Sequence, residues 1–145
     1  MIRLQGEITI ARPVEVVFEL AADPARMSAW HPRFDVSERT SGDGPAVGST
    51  FRLLSRSVGR RIETSGAITA FEPNRRVAWD GSSHGTLILV VTDFEPDGTG
   101  TRVMTAYEVA TGGLQALGDP ITACVLGREV HRGLASLKRR LETEC

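Results

Sequence analysis

The chain has 145 residues, of which 41% are hydrophobic and 24% charged, and its formal net charge is −1. A chain of this length is the usual size of one domain, which we expect to span residues 1–145, and it can bury a core without a metal or a disulfide. Because its charge is near zero, it lacks the basic field that nucleic acid or a polybasic membrane contact requires, and we expect neither partner.

The first part of the chain predicts one strand and two short helices. Residues 2–10 alternate apolar and polar side chains, which is typical of a strand with one buried face. A helical spacing follows through Ala22, and Asp23 is a suitable cap for a second helix over Pro24–Trp30. His31 and the proline after it end this second helix.

Further strands are predicted from residue 34 to residue 109, separated by short turns. Short turns between successive strands favour antiparallel neighbours. The predicted strands are Phe34–Arg39, Ser49–Ser57, Arg60–Phe71, Arg76–Asp80, Thr86–Phe94 and Thr101–Val109.

A long helix is predicted at the C-terminal end, starting at Asp119 and Pro120 and continuing to about Glu142. Such a helix needs a surface to pack on, and the sheet is the only large one available. Its apolar stripe contains Ala123, Leu126, Gly127, Val130, Leu134, Leu137 and Leu141. The predicted fold class is therefore α+β, with a curved antiparallel seven-stranded sheet wrapped around the long C-terminal helix.

Charged positions indicate which face of the long strands is turned inward. Arg61 and Glu63, and likewise Arg102 and Glu108, must point to water, so the residues that alternate with them along each strand point toward the helix. This inner face is apolar but contains small and polar residues, as does the helix stripe at Gly127. Two interpretations stay open: the small residues allow tight packing, or the two layers leave a hollow between them. The hollow would be lined by Trp30, Ile62, Thr64, Gly66, Ile68, Trp79, Val103, Thr105, Tyr107, Ala123, Leu126, Gly127 and Val130.

Several segments are similar to those of a known fold family. The run ITIARPVEVVFELAADP from Ile8 and the run MSAWHP from Met27 look like its opening strand and helices. The runs AVGSTF from Ala46, FEPNRRVAW from Phe71 and FEPDGTGTRV from Phe94 look like its hairpins. The chain thus resembles the START-like helix-grip superfamily (SRPBCC), and within it the polyketide cyclase/dehydrase-like group. This resemblance implies the helix-grip fold and a small apolar ligand such as a lipid, sterol, polyketide or quinone, although some members act on proteins as co-chaperone-like modules.

The candidate polar groups are the histidines and the single tyrosine. We expect His31, His84 and His131 at the surface or at the border of the core, and their spacing fits no zinc site. A histidine at a cavity mouth can move a proton near neutral pH. His31 ranks before His84, because the loop after the second helix borders the opening in the fold that the chain resembles. Tyr107 is either a core aromatic or a group that orients a ligand carbonyl.

The sequence shows no metal or cofactor motif, and we expect neither a metal nor a cofactor. Cys124 and Cys145 form no disulfide framework and no CxxC pair, so we expect free thiols. The N-terminal residues predict no secretion signal, and no stretch is apolar enough to span a membrane. With the strong bias toward arginine over lysine, which is typical of a GC-rich genome, these features favour a bacterial cytoplasmic protein.

The predicted function is the binding of a small, mostly apolar ligand, aromatic or polyketide-like, between sheet and helix, with its cyclisation or dehydration as candidate chemistry. The alternatives are a non-catalytic carrier of lipids or small molecules and a protein-interaction module of the co-chaperone-like kind. A cavity with two convergent polar groups favours the enzyme, and a cavity with none favours the carrier. A filled core with an exposed apolar patch favours the interaction module. We expect a monomer or a homodimer.

Overall fold

The protein is described here from a computed structural model, which covers residues 2–57, 60–83, 85–111 and 120–143, with the backbone alone at residues 56, 57, 60, 111 and 120–127. A strand, two short helices, six further strands and a long helix follow one another along the chain. The elements are β1 (Ile2–Ile10), α1 (Val14–Ala21), a 3-10 helix (Pro24–Ala29), β2 (Phe34–Ser41), β3 (Thr50–Ser57), β4 (Arg60–Glu72), β5 (Arg76–Ser83), β6 (Thr86–Asp97), β7 (Gly100–Thr111) and α2 (Pro120–Thr143).

The seven strands form one curved antiparallel sheet in the order β1-β7-β6-β5-β4-β3-β2. Each strand pairs with its neighbour in sequence, except that β1 closes the far edge by pairing with β7, where Gly6 lies opposite Thr105. This order confirms the predicted seven-stranded antiparallel sheet with two short helices between its first two strands. The register of β4 on β5 shifts between Ile68 and Ala70, an irregularity of the kind that bends a strand.

Two predicted turns lie inside strands instead. Gly81 continues β5, where it pairs with Gly66 on one side and Ile88 on the other. A Cβ atom placed on Gly66 would lie 2.1 Å from the Asp80 carbonyl oxygen, so the glycine at this position serves close contact between strands. In the same way β6 continues to Asp97, and the turn that follows contains Gly98 at φ 62°.

Helix α2 packs on the inner face of the sheet, beside β1. Its residues Val130, Leu134, Leu137 and Leu141 are all buried, as the predicted stripe requires. A Cβ atom on Gly6 would lie 3.0 Å from carbons of both Val130 and Leu134, so β1 and the helix approach closely there. The predicted starting residue Asp119, together with the side chains of Ala123, Leu126 and Gly127, lies outside the part of the chain that the structure describes.

The end of α2 is fixed to the end of β1 by polar contacts. The Lys138 ammonium donates to the Thr9 carbonyl at 2.7 Å, and the backbone N–H of Ala11 donates to the Glu142 carboxylate at 2.8 Å. The predicted cap of the second helix is confirmed, since Asp23 Oδ1 accepts from the Ala25 N–H at 3.0 Å. Asp23 also pairs with Arg39 of β2, which joins this helix to the sheet.

The core is densely filled where α1 packs against the sheet. Phe18 of α1 makes edge-to-face contacts with Phe71 and Phe94, at ring-centroid distances of 5.4 Å and 5.0 Å. Ile10 and Val103 are completely buried in the same region. Among the helices in the described ranges, none is long and apolar enough to cross a membrane.

Candidate functional site

A cavity of about 400 Å³ lies between the inner face of the sheet and α2. All seven strands contribute to its wall, together with the 3-10 helix, the loop after it and one turn of α2. Most of the lining surface is apolar, and several elements add polar side chains to it. The described residues that line it are Ile2, Leu4, Met27, His31, Arg33, Phe34, Leu53, Ser55, Arg61, Ile62, Thr64, Trp79, Ser83, Thr86, Ile88, Tyr107, Val109, Glu129 and Val130.

A second void, of about 30 Å³, lies beside this cavity and is lined partly by the same residues. Met27, His31, Trp79, Tyr107 and Val130 line both. Its volume is near that of a single water molecule. The Trp30 indole, which lines this void, has a buried N–H without a hydrogen-bond partner in the part of the chain that the structure describes.

The structure brings together only some of the residues predicted to line a hollow. Ile62, Thr64, Trp79, Tyr107 and Val130 line the large cavity. By contrast, Trp30, Val103 and Thr105 line the small void alone. Ile68, which is 1% exposed, lies in the packed core, and Gly66 faces Phe51 and the backbone of β5. The side chains of Ala123, Leu126 and Gly127 are outside the described residues.

Sequence reasoning missed the wall contributed by β2 and β3. Phe34 lies opposite Ser55, and Ser55 lies opposite Ile62, so one inward row crosses three strands. The sequence signal was the spacing of Arg52 and Arg56, which puts both on one face of the strand and turns Leu53 and Ser55 to the other.

His31 is buried, with 5% of its surface exposed, and the prediction of a surface or border position was wrong. Its ring packs edge-to-face on Phe34 at a centroid distance of 4.9 Å. On the other side it meets α2 at Gly133, where a Cβ atom would lie 2.6 Å from His31 Nε2. A histidine is buried here because a helix glycine leaves room for the ring.

The surroundings of His31 keep it neutral. Burial, with smaller contributions from the positive charges of Arg33 and Arg132, lowers its pKa to about 4. Nδ1 accepts a hydrogen bond from the Arg33 backbone N–H at 3.2 Å, which leaves the ring proton on Nε2. Of the other histidines, His131 is exposed as predicted, and His84 lies outside the described residues.

Tyr107 of β7 is the second polar group that lines both the cavity and the small void. The β1–β7 and β6–β7 registers place it opposite Leu4 and Val90, on the predicted inner face. Burial raises the pKa of its phenol to about 12, against a weaker opposing effect of Arg33. Its hydroxyl therefore stays protonated near neutral pH and can donate a hydrogen bond.

Hydroxyl groups complete the polar part of the lining. Ser55 and Thr64 are buried on adjacent strands, and the hydroxyl of Ser83 is buried without a partner in the described part of the chain. The chemistry that these groups offer is hydrogen bonding to a few oxygen atoms of an otherwise apolar molecule. Within the described ranges, no group of three or more His, Cys, Asp or Glu side chains could hold a metal ion.

Comparison with known families gives one match over nearly the whole chain. The model of the family described as polyketide cyclase/dehydrase and lipid transport matches residues 1–142. No curated protein shows a significant sequence match.

Solved structures with the same fold are distant in sequence. A START superfamily protein from Mycobacterium smegmatis superposes with a TM-score of 0.85 at 14% identity, over 100% of both chains. A protein from Thermus thermophilus gives a TM-score of 0.75 at 18% identity, over 95% of each chain. DynU16, a protein of the dynemicin biosynthetic locus, gives 0.73 at 16% identity, over 99% of this chain and 48% of its own. At these identities the likeness establishes the fold alone.

Proposed function

The chain belongs to the polyketide cyclase/dehydrase and lipid transport family, and from this membership we propose that it binds a small, mostly apolar ligand in the cavity between the sheet and α2. The observation that carries the proposal is the cavity itself, of about 400 Å³, with its largely apolar lining. Small-molecule sites have volumes of roughly 300–1,000 Å³ and combine such a lining with a few polar groups.

His31 and Tyr107 would orient the ligand by hydrogen bonds. Both side chains line the cavity, and at neutral pH one is an uncharged imidazole and the other an uncharged phenol. Their pKa values are moved away from neutrality in opposite directions, whereas an efficient acid–base pair needs values near the working pH. This favours binding and orientation over proton transfer in the ligand-free protein.

Cyclisation or dehydration of the bound ligand is the second candidate, and the convergence of His31 and Tyr107 on one cavity supports it. The phenol can donate a hydrogen bond to the carbonyl oxygen under attack. Because His31 Nδ1 already accepts from the Arg33 N–H, the ring can accept a proton from the ligand only once that hydrogen bond is released. The protein-interaction alternative has less support. It would fit a protein whose core is filled, whereas this protein has a cavity of about 400 Å³.

Native mass spectrometry of the freshly purified protein tests the binding proposal. We expect a retained small molecule, or a one-to-one complex after addition of the neutral apolar dye N-phenyl-1-naphthylamine. Protein that retains nothing and forms no complex with the dye would contradict the proposal.

The catalytic candidate has its own test. A linear β-polyketone thioester should cyclise faster with the wild type than without protein, and slower with His31→Gln or Tyr107→Phe. If the protein binds the dye normally but the thioester cyclises at the same rate with and without it, the catalytic function is wrong and the carrier function stands.

A further inference from the structure

Two arginines, Arg33 and Arg61, line the largely apolar cavity. The one carboxylate in the described lining is Glu129, which already pairs with Arg132 at 3.2 Å. No ion pair joins Arg33 or Arg61 to an acidic side chain anywhere in the described ranges. The wall of the cavity therefore carries positive charge without a matching negative group.

Other arginines of the sheet are paired with carboxylates. These pairs are Arg39 with Asp23, Arg52 with Glu38, Arg76 with Asp93 and Arg102 with Glu7. All of these pairs except Arg39 with Asp23 are largely exposed to solvent, where an ion pair contributes little to stability. Arg33 differs from them because it lines the largely apolar cavity, where an unpaired charge costs most.

The position of Arg33 places its charge at the polar part of the cavity. It follows His31 by two residues, and its backbone N–H donates to the His31 ring. Burial has the largest effect on the pKa of both His31 and Tyr107, and the charge of Arg33 adds to the lowering at His31 and opposes the raising at Tyr107, so Arg33 lies near both. Arg61 is exposed, so its charge lies toward solvent. A negative group held inside the cavity would therefore lie nearer Arg33 than Arg61, and close to both neutral hydrogen-bonding groups.

We propose that the ligand is an amphipathic acid whose carboxylate pairs with Arg33 while its apolar body fills the cavity. This inference rests on the binding function proposed above and adds the class of ligand to it. The planar guanidinium matches a carboxylate in shape as well as in charge, so the pair supplies orientation together with affinity. Arg61 would assist at longer range, and its contribution would be the more strongly screened by salt.

Displacement of bound N-phenyl-1-naphthylamine by dodecanoate and by dodecanol tests this proposal. The two ligands share one apolar chain and differ at the head group. The readout is the ratio of their dissociation constants, measured at about pH 8, where the carboxylate is ionised. Arg33→Met should shift this ratio against dodecanoate by about tenfold, since a hydrogen-bonded charge pair contributes at least this much. Dodecanol affinity should hardly change.

Matched variants separate this effect from a general loss of charge or fold. Arg75→Met removes the same charge from a side chain that is 79% exposed and lies outside the cavity lining, and it should leave the ratio unchanged. Arg33→Lys keeps the charge but loses the planar fork, so it should retain part of the dodecanoate preference that Arg33→Met loses, which a purely structural role for the guanidinium would not predict.

The possible failures are distinguishable. If dodecanol displaces the dye normally and Arg33→Met leaves the ratio at the wild-type value, the anionic-ligand inference is wrong and the apolar-ligand function stands. If the wild type binds neither the dye nor either dodecyl ligand, the proposed function is wrong and this inference falls with it.

Discussion

His31 is buried between Phe34 and helix α2, and the groups that bury it also keep its ring uncharged. The imidazolium form would lie beside the positive charges of Arg33 and Arg132 with little access to water. Between about pH 4 and pH 6.5, His31 therefore stays mostly neutral in the folded protein, whereas it becomes protonated in the unfolded chain. The physical consequence is a dependence of stability on pH that belongs to this one residue.

Acidification should destabilise the wild type more than it destabilises His31→Gln. The His31 pKa is about 4 in the folded protein and about 6.5 in an unfolded chain. Between these values the unfolded state binds more protons, so the free energy of unfolding rises with pH and falls on acidification. From pH 7 to pH 5 the loss assigned to His31 is about 2 kcal/mol. Urea denaturation of both proteins at the two pH values measures it, and equal losses would show that the ring is accessible to water.

The phenol of Tyr107 should ionise at unusually high pH. It is the only tyrosine in the chain, so its phenolate absorbance can be followed without interference from a second tyrosine. We expect a midpoint near 12 in protein that circular dichroism shows to be still folded. Binding of an apolar ligand should raise this midpoint further, because it removes water from the hydroxyl. A midpoint near 10 in folded protein would place the hydroxyl in bulk water.

At this scale the sequence predicted Tyr107 better than His31. Arg102 and Glu108 are an even number of residues apart and were both assigned to the outer face. Tyr107 had to face inward, because a strand has only two faces and neighbouring residues alternate between them. The burial of His31 depends on Gly133, a residue distant in sequence, and no local pattern links the two. Arg33 was missed for the same reason, since its lack of an ion-pair partner follows from the positions of carboxylates on other strands.

At the scale of elements, two glycines let neighbouring segments approach helix α2 closely. Gly6 and Gly133 allow β1 and the His31 loop, respectively, to approach α2 closely. Ser136 of the same helix donates to the Trp30 carbonyl, so the segment before His31 is fixed to α2 from two sides. Of the two interpretations offered for the small residues, tight packing holds at Gly66 and Gly133.

Gly133→Ala should destabilise the protein although alanine is the better helix former. The new methyl would lie 2.6 Å from His31 Nε2, and the buried ring has little room to move. We expect a net cost of about 1–3 kcal/mol from overpacking. In a His31→Ala background the same change should instead stabilise, by about 1 kcal/mol of helix propensity. Urea denaturation of the four proteins closes a double-mutant cycle, and additive effects would rule out the proposed contact.

Element positions were largely predictable from alternation and from helix caps, whereas two strand ends were not. Gly81 and the Glu95–Asp97 segment have the composition of turns, yet both continue strands. Gly81 is inside β5 because it lies opposite Gly66 on β4. Such pairing depends on the register between strands, which a single sequence does not contain.

The molecule as a whole is divided into a filled part and a hollow part along the length of the sheet. The aromatic cluster around Phe18 fills the part near α1. At the other end Ile2, Leu4, Ile88 and Val109 are on the inner face but border the cavity. The alternation of polar and apolar residues correctly predicted which side chains face inward. It does not predict whether an inward side chain lies in the filled part or beside the cavity. The prediction therefore included Ile68 and Val103, which lie in or near the filled part, and omitted the residues at the hollow end.

The most direct test of the central claim, that an apolar ligand occupies this cavity, uses two adjacent residues of β6. Ile88 lines the cavity, whereas Leu89 points to the opposite face and is 38% exposed. Ile88→Trp should fill part of the cavity, and we expect a free energy of unfolding within about 1.5 kcal/mol of the wild type, because the new ring enters empty space. Leu89→Trp adds the same side chain on the outer face and serves as the matched control.

Calorimetric titration of the wild type and both variants with N-phenyl-1-naphthylamine provides the measurement. The account predicts that Ile88→Trp weakens dye binding by at least about tenfold, since the indole occupies volume that the ligand needs. Leu89→Trp should bind the dye as the wild type does. Unchanged dye binding by a folded Ile88→Trp protein would contradict the claim that the ligand occupies the cavity between the sheet and α2.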